Sequence, residues 1–375
     1  MTLHWCGTGL SSIPGLRRLL AAQSRVAVWN RTEGRARAMV GDLTQAIHTF
    51  DPEALRRALR PGDIVVSMLP ADLHPALARI AVSRKAHMVT SSYISPQMRG
   101  LDPHARDAGV SLVNEVGLDP GIDHLMAHHL IEAYKASDAY DPQNEISFLS
   151  YCGGVPKEPN AMRYKFSWAP VGVLKALKSP SRSLANFRVL EVDRPWDALT
   201  SYRAPLQTPE VFEVYPNRDS LPFMAQYQIP ETWRVKDFVR GTLRLDGWAA
   251  AWADVFDTVE TATDKELDEL AHKLLVDNAY VAGEPDRVVL CVSLRAERGG
   301  RPVWHQSYVM DAWGDDRGNA MARLVSIPMT LAVNAIQQNR IGPGVSAAPS
   351  DPDLVAEWLA EIATLAQQMR VVNHL

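Results

Sequence analysis

Short apolar runs and longer amphipathic stretches alternate through the first third of the chain. Leu3–Cys6 and residues 25–29, 63–69, 87–91 and 110–116 read as strands. The run Asp-Ile-Val-Val-Ser-Met-Leu at 63–69 is apolar at both alternating positions, as a strand covered on both faces should be. Ile13–Ala22 and residues 35–40, 75–83 and 96–108 read as helices between them. This β-α-β rhythm predicts a doubly wound parallel sheet. After Gly121 the pattern changes. Residues 122–136 form an amphipathic helix, 147–151 a strand, and 239–244 alternates so that Arg240, Thr242 and Arg244 share a face. Residues 288–296 and 302–310 flank Glu297-Arg298-Gly299-Gly300-Arg301 as in a hairpin. Residues 321–338 and 353–369 read as helices joined by a Gly-, Pro- and Ser-rich link at 339–351. The expected fold class is α/β, a Rossmann-type doubly wound parallel sheet with a second α+β domain. The expected division is 1–120 plus 340–375 for the first domain and 121–339 for the second.

The first strand runs into Gly7-Thr8-Gly9-Leu10-Ser11-Ser12 and then a helix. This is G-x-G-x-x-G with serine in the third place. Gly7 permits a tight turn, Gly9 lets the backbone approach a pyrophosphate, and Ser12 is small enough for helix–strand packing. A tight turn without a nucleotide is the plain alternative. The second strand ends in Asn30-Arg31-Thr32, with no acid to hold a ribose 2′-hydroxyl. Arg31 offers a planar guanidinium for a 2′-phosphate and Thr32 a hydroxyl, which favours NADP over NAD. The bland reading of Arg31 is a solvated surface residue. Ser67 and Met68 at one strand end should pass under the nicotinamide half. Ser91-Ser92-Tyr93 at the next points to the same crevice, where Tyr93 either donates to or stacks on a ligand or, equally, merely caps the sheet.

The most informative stretch is Asn114-Glu115-Val116-Gly117-Leu118-Asp119-Pro120-Gly121-Ile122-Asp123-His124. A strand opening through Gly and Asp-Pro-Gly into a helix delivers N–H groups and carboxylates to the ligand edge of an open α/β sheet. His124, His128 and His129 share helical spacing, but Leu125 stands where H-E-x-x-H has its glutamate, so no metal is expected. Cys152 before Gly153-Gly154 is a candidate thiol with no adjacent base in sequence; a packed cysteine is the commoner case. Arg240, Thr242 and Arg244 suit carboxylate recognition, or equally a salt-bridged sheet face.

The chain has 375 residues, 46% hydrophobic and 22% charged, with a formal net charge of −4. That balance argues against nonspecific nucleic-acid binding. Three well-separated cysteines form no zinc or disulfide framework, which suggests a cytoplasmic protein. No charged segment leads into an apolar export signal, and no apolar run reaches the roughly 20 residues that span a bilayer.

Taken together, Ser92-Tyr93-Ile94-Ser95-Pro96, residues 114–124, Ser150-Tyr151-Cys152-Gly153-Gly154, Tyr164-Lys165-Phe166-Ser167-Trp168, residues 215–220 and residues 240–244 resemble the saccharopine dehydrogenase family, in particular its glutamate-forming reductases. The resemblance implies hydride transfer between a nicotinamide cofactor and saccharopine, giving glutamate and 2-aminoadipate 6-semialdehyde. It also implies a homodimer. Ser92, Tyr93 and Asp119 match family residues around the reacting centre, with Tyr93 and Asp119 as the catalytic candidates. Asp119 either moves a proton or binds the substrate amino group. Arg218, Thr242, Leu243 (through its backbone) and Arg244 match substrate-binding positions, as three carboxylates require. Leu10, Ser11, Leu118, Gly121, Ile122 and Lys165 join the cofactor set. The region 247–264 is short where fungal members carry a helical insertion.

Two other readings are a related C–N reductase, such as one acting on carboxynorspermidine, and a nonenzymatic NADP-sensing protein. Arg31→Asp should weaken NADPH binding, by removing the phosphate partner and adding repulsion, while affecting NADH far less. Equal loss in titrations with the two cofactors would remove Arg31 from a 2′-phosphate site.

Overall fold

The computed structural model describes residues 1–23 and 25–375. Two compact units emerge: Met1–Leu125 with Ala322–Ile362, and Met126–Met321 with Ala363–Leu375. The expected boundaries lay at 120/121 and 339/340. The chain changes unit at 125/126 and 321/322 instead, and its last residues belong with the second unit.

In the first unit, the described residues form a seven-stranded sheet. Its order is Gly344–Ser346, Ser111–Val113, His87–Thr90, Ile64–Ser67, Leu3–Cys6, Val26–Asn30 and Ile47–Thr49. Each neighbouring pair is parallel. The chain builds outward from Leu3–Cys6 on one side, then returns to that strand's other side with Ile64–Ser67. The strand order therefore reverses between these two, the switch point at which such sheets bind ligands beyond their carboxyl ends. All four residues of Leu3–Cys6 and of Ile64–Ser67 are buried, as the unbroken apolar runs require.

Several elements depart from the periodicity. Residues 96–108 split into Pro96–Arg99 and Asp102–Ala108, because Pro103 lacks an N–H and sits in the first turn of a new helix. Ile47–Thr49 and Pro52–Ala58 fill a stretch in which no element was expected. In the latter, Asp51 caps the helix by accepting the Ala54 N–H at 2.7 Å. The 339–351 link contains the edge strand Gly344–Ser346. The terminal helix ends at Ala363, and Gln368–Asn373 pairs with Arg301–Trp313.

The second unit holds a nine-stranded mixed sheet among the described residues. Its main path runs Thr200–Ala204, Glu210–Pro216, Arg234–Leu245, Glu145–Pro156, Asp286–Arg298, Arg301–Trp313 and Gln368–Asn373. Arg234–Leu245 and Glu145–Pro156 pair in parallel at its centre, and the other pairs are antiparallel. Ser181–Ala185 and Arg188–Val192 form a side hairpin. Asp286–Arg298 and Arg301–Trp313 are the expected hairpin, lengthened at both ends.

Close approach fixes the helix after the glycine turn. The Gly15 N–H donates to Ser326 Oγ at 2.8 Å, and a Cβ at Gly15 would overlap the Ser326 carbonyl. Ser326 lies in helix Ala320–Gln337. Packing that the third motif glycine would ordinarily permit is thus provided one turn later. Gly15→Ala should destabilise the protein by about 1–3 kcal/mol despite alanine's better helix propensity. An unchanged urea midpoint would show that the two helices can separate without cost.

Candidate active site

The turn after Leu3–Cys6 is built around backbone proximity. Gly7 has φ +101°, and a Cβ there would lie 2.9 Å from the Met68 carbonyl oxygen. The Gly7 N–H donates to Trp29 O, and the Met68 N–H to Cys6 O, each at 2.8 Å. Gly7 and Met68 therefore meet at the carboxyl edge of the central strands. Around Gly9 a Cβ would find open space within 4 Å, so this backbone can be approached from outside. Ser12 is buried, and its Oγ donates to Gly9 O at 2.9 Å, closing the turn that a glycine would leave free. Asn30 acts as a clasp: its Oδ1 accepts the Thr8 N–H at 3.1 Å, and its Nδ2 donates to Thr32 O at 2.8 Å. Arg31, Thr32 and Leu10 are exposed, and Ser11 is half-buried. Thr8 Oγ1 and Ser67 Oγ are buried without a hydrogen-bond partner among the described residues. Open space at Gly9, a helix start and an exposed arginine past the second strand suit a phosphorylated dinucleotide.

Tyr93 follows His87–Thr90, and its hydroxyl donates to Asp119 Oδ1 at 3.1 Å. Asp119 sits in a loop with a cis bond to Pro120. The loop is closed by backbone: Gly117 N–H donates to Pro120 O, and Ile122 N–H to Gly117 O, each at 3.0 Å. A Cβ on Gly121 would overlap Gly117, and one on Gly117 would lie 2.8 Å from Ser91 Cβ. Ser91 and Ser92 are half-buried, while Leu118 and Ile122 are buried. Beneath the loop, His124 Nε2 lies 3.0 Å from Glu115 Oε2 and its Nδ1 lies 3.3 Å from Asp123 Oδ2, all three side chains buried. The three helix histidines diverge. His128 meets Tyr227 edge-on, and His129 Nδ1 lies 3.0 Å from the Tyr308 hydroxyl. The described residues contain no metal-binding group of three or more His, Cys, Asp or Glu.

In the second unit, Arg244 is 5% exposed. Its guanidinium carbon lies 4.7 Å from the centre of the Tyr164 ring, 5.4 Å from Trp248 and 5.7 Å from Tyr215. Its Nη2 donates to the Tyr215 hydroxyl at 3.1 Å, and its Nε has no partner among the described residues. Burial pushes the Tyr164 phenol up, an effect that Arg244 partly opposes. A buried cation faced by rings rather than carboxylates is costly unless an anion comes to it. Arg240, on the same strand, stacks 3.9 Å over Phe223. Thr242 is half-buried and registers with Cys152 and Tyr215. Leu243 is buried, and its carbonyl occupies the place where a Cβ on Gly153 would lie. Arg218 is exposed in a turn with φ +58°. Lys165 Nζ lies 2.6 Å from Glu284 Oε1, and that contact holds the glutamate below the usual carboxylate range. Cys6, Cys152 and Cys291 are buried and free of disulfides. Burial pushes the Cys6 thiol up and carries Cys291 to about 12.

The structure thus joins Tyr93 to Asp119, joins Asn30 to the glycine turn, and seats Arg244 in an aromatic cage. Sequence reasoning passed over Glu115 and Asp123 as partners of His124, and over Tyr164, Tyr215 and Trp248 as the walls around Arg244. Trp248 stands four residues after Arg244, a spacing that becomes meaningful only once the strand's end is known.

Residues 5–113 match the model of the saccharopine dehydrogenase NADP binding domain, and residues 117–365 that of the saccharopine dehydrogenase C-terminal domain. The saccharopine dehydrogenase (NADP(+), L-glutamate-forming) of Pyricularia oryzae is 37% identical over 249 residues, 64% of this chain and 54% of that protein. The Saccharomyces cerevisiae protein of the same name is 37% identical over 250 residues, with the same shares. The chain spans about half the length of these curated relatives. The apo saccharopine dehydrogenase (L-Glu forming) structure from Saccharomyces cerevisiae superposes with a TM-score of 0.81 at 26% identity, covering 99% of each chain. A homospermidine synthase from Legionella pneumophila, in complex with NAD, shares the fold with a TM-score of 0.69 at 10% identity, covering 99% of this chain and 91% of that one. Among the described residues, no helix is long and apolar enough to cross a membrane.

His74 Nδ1 lies 3.3 Å from Thr90 Oγ1 at the edge of the first sheet, and burial pushes this histidine down to about 4. The unfolded chain then binds the proton first as pH falls, so stability should decline from about pH 6.5 to about pH 4. Urea unfolding across that range should show a shallower decline in His74→Gln. Identical slopes would remove His74 as a cause.

Proposed function

Because the chain belongs to the saccharopine dehydrogenase family, we propose that it is an NADP-dependent oxidoreductase acting on the CH–NH bond of saccharopine, releasing L-glutamate and 2-aminoadipate 6-semialdehyde. The observation that carries this reading is Arg244, a buried guanidinium caged by Tyr164, Tyr215 and Trp248 and lacking a carboxylate among the described residues. A substrate with three carboxylates supplies the missing anion. Arg218, Thr242 and the Leu243 backbone complete the substrate set in the second unit.

In the first unit, Gly7, Gly9, Leu10, Ser11 and Ser12 cradle the pyrophosphate, Asn30 fixes the turn, and Arg31 with Thr32 takes the 2′-phosphate. Ser67, Met68, Ser91, Leu118, Gly121 and Ile122 lie along the cofactor's path. Lys165, engaged with Glu284, is also proposed as a cofactor-binding residue. The bound cofactor supplies the hydride acceptor. The chain supplies proton chemistry and orientation. The secondary amine of saccharopine must lose a proton before its lone pair can assist departure of hydride from the neighbouring carbon. Asp119, with Tyr93 hydrogen-bonded to it, takes that proton. Water then adds to the resulting imine, and the carbinolamine collapses to the amine of glutamate and the aldehyde. Ser92 orients the substrate beside the pair. The proposal includes a cytoplasmic homodimer, whose mass light scattering reads directly.

Parallel assays of saccharopine oxidation with NADP and with NAD test the reading. Turnover with NADP and none on carboxynorspermidine is expected. Arg244→Lys should raise the saccharopine KM roughly tenfold, about 1.4 kcal/mol, leaving the NADP KM unchanged. No oxidation of saccharopine by the wild-type protein would overturn it.

A further inference from the structure

The reactive pair Tyr93–Asp119 is gripped on both sides by one buried cluster. Glu115 holds the tyrosine's segment: its Oε1 accepts the Ile94 N–H at 2.8 Å, and its own N–H donates to Ser92 O at 3.1 Å. Both neighbours of Tyr93 are thus tied to one residue. Asp123 holds the aspartate's segment: its Oδ1 accepts the Gly121 N–H at 2.7 Å, and its own N–H donates to Leu118 O at 3.3 Å. His124 stands between the two acids, 3.0 Å from Glu115 Oε2 and 3.3 Å from Asp123 Oδ2. His124 and Asp123 are fully buried and Glu115 is 3% exposed. Glu115 adopts φ +55°, a region uncommon for residues other than glycine, and this turns its carboxylate back under the Ser92–Ile94 backbone.

We infer that Glu115, His124 and Asp123 are positioning residues that set the distance between the Tyr93 hydroxyl and Asp119. The inference rests on the proposed oxidation of saccharopine, in which that pair moves the proton. The cluster acts by reach rather than by charge. Glu115 contacts Ile94 and His124 with different oxygens, so a side chain must keep its length to span both. A glutamine keeps that span, with its oxygen on the Ile94 N–H and its amide nitrogen on His124 Nε2. An aspartate keeps the charge and falls short of one partner.

Two mild substitutions separate these properties. Glu115→Gln should retain saccharopine kcat within about threefold of wild type, whereas Glu115→Asp should lose roughly tenfold or more, with KM for saccharopine and NADP changed less than threefold in both. His124→Ala should lose kcat similarly, and in a Tyr93→Phe background its further effect should vanish, because the geometry it maintains no longer serves a proton transfer. The reverse order, Glu115→Asp active and Glu115→Gln impaired, would overturn reach as the property that matters. Full additivity of His124→Ala with Tyr93→Phe would overturn the positioning role; should His124→Ala not fold, the Glu115 pair decides alone. Wild-type protein inactive on saccharopine would instead reject the proposed reaction. Binding of NADPH by each variant, followed by fluorescence, separates a misplaced pair from a collapsed fold: unchanged affinity with lost kcat is expected, and parallel loss of both would overturn the inference.

Discussion

The first unit's candidate chemistry depends on a backbone closure with no room for side chains. Gly117 and Gly121 approach so closely that a Cβ on either would collide, the former with Ser91 and the latter with Gly117 itself. This contact folds the 117–121 loop onto the strand end carrying Ser91, Ser92 and Tyr93. It brings Asp119 within hydrogen-bond reach of a tyrosine 26 residues earlier. It also lets the following helix begin at Ile122, so that Asp123 and His124 return beneath the loop toward Glu115. Glycine is required for shape, and the acid and histidine contacts follow from that shape.

The second unit solves a different problem, keeping a guanidinium out of water without neutralising it. An internal carboxylate would satisfy Arg244, and under the proposed function it would occupy the place of the substrate's own anion. Three aromatic faces lower the cost of burial while leaving the charge largely intact. Arg287 is the contrast: Asp311 and Glu210 engage it fully, and it serves the sheet. The two arginines therefore sit in opposite surroundings, Arg244 among rings and Arg287 between carboxylates.

Local pattern revealed the parallel sheet because its central strands are apolar on both faces, and it revealed the glycine turn because steric need is written in the residue itself. It missed Ile47–Thr49, where only Ile47 is buried and three residues carry too little periodicity. It extended the terminal helix past Ala363 because Gln368–Asn373 becomes a strand only by pairing with a partner far away in sequence. The same limit applies to the site. Asp119 and Tyr93 stood out as residue types at strand ends. The Glu115–His124 contact depends on a left-handed backbone turn, and the Arg244 cage draws Tyr164, Tyr215 and Trp248 from three separate stretches. The residues of the first arrangement share the 114–124 stretch, but their spacing does not show the turn that joins them, and no single window contains the second.

The seventh strand of the first sheet, Gly344–Ser346, has an implication for the order in which the molecule is made. It pairs beside Ser111–Val113, and Ser111 Oγ donates to the carbonyls of Ile341 and Gly342. The whole second unit, apart from its last strand, is encoded between these partners. During synthesis the ribosome therefore releases six strands of the first sheet long before their neighbour exists. Until then, Ser111–Val113 pairs with His87–Thr90 on one side only, and its other edge is open, the kind of surface that invites association with other nascent chains. The sheet that holds the glycine turn is thus among the first parts to form and among the last to be sealed.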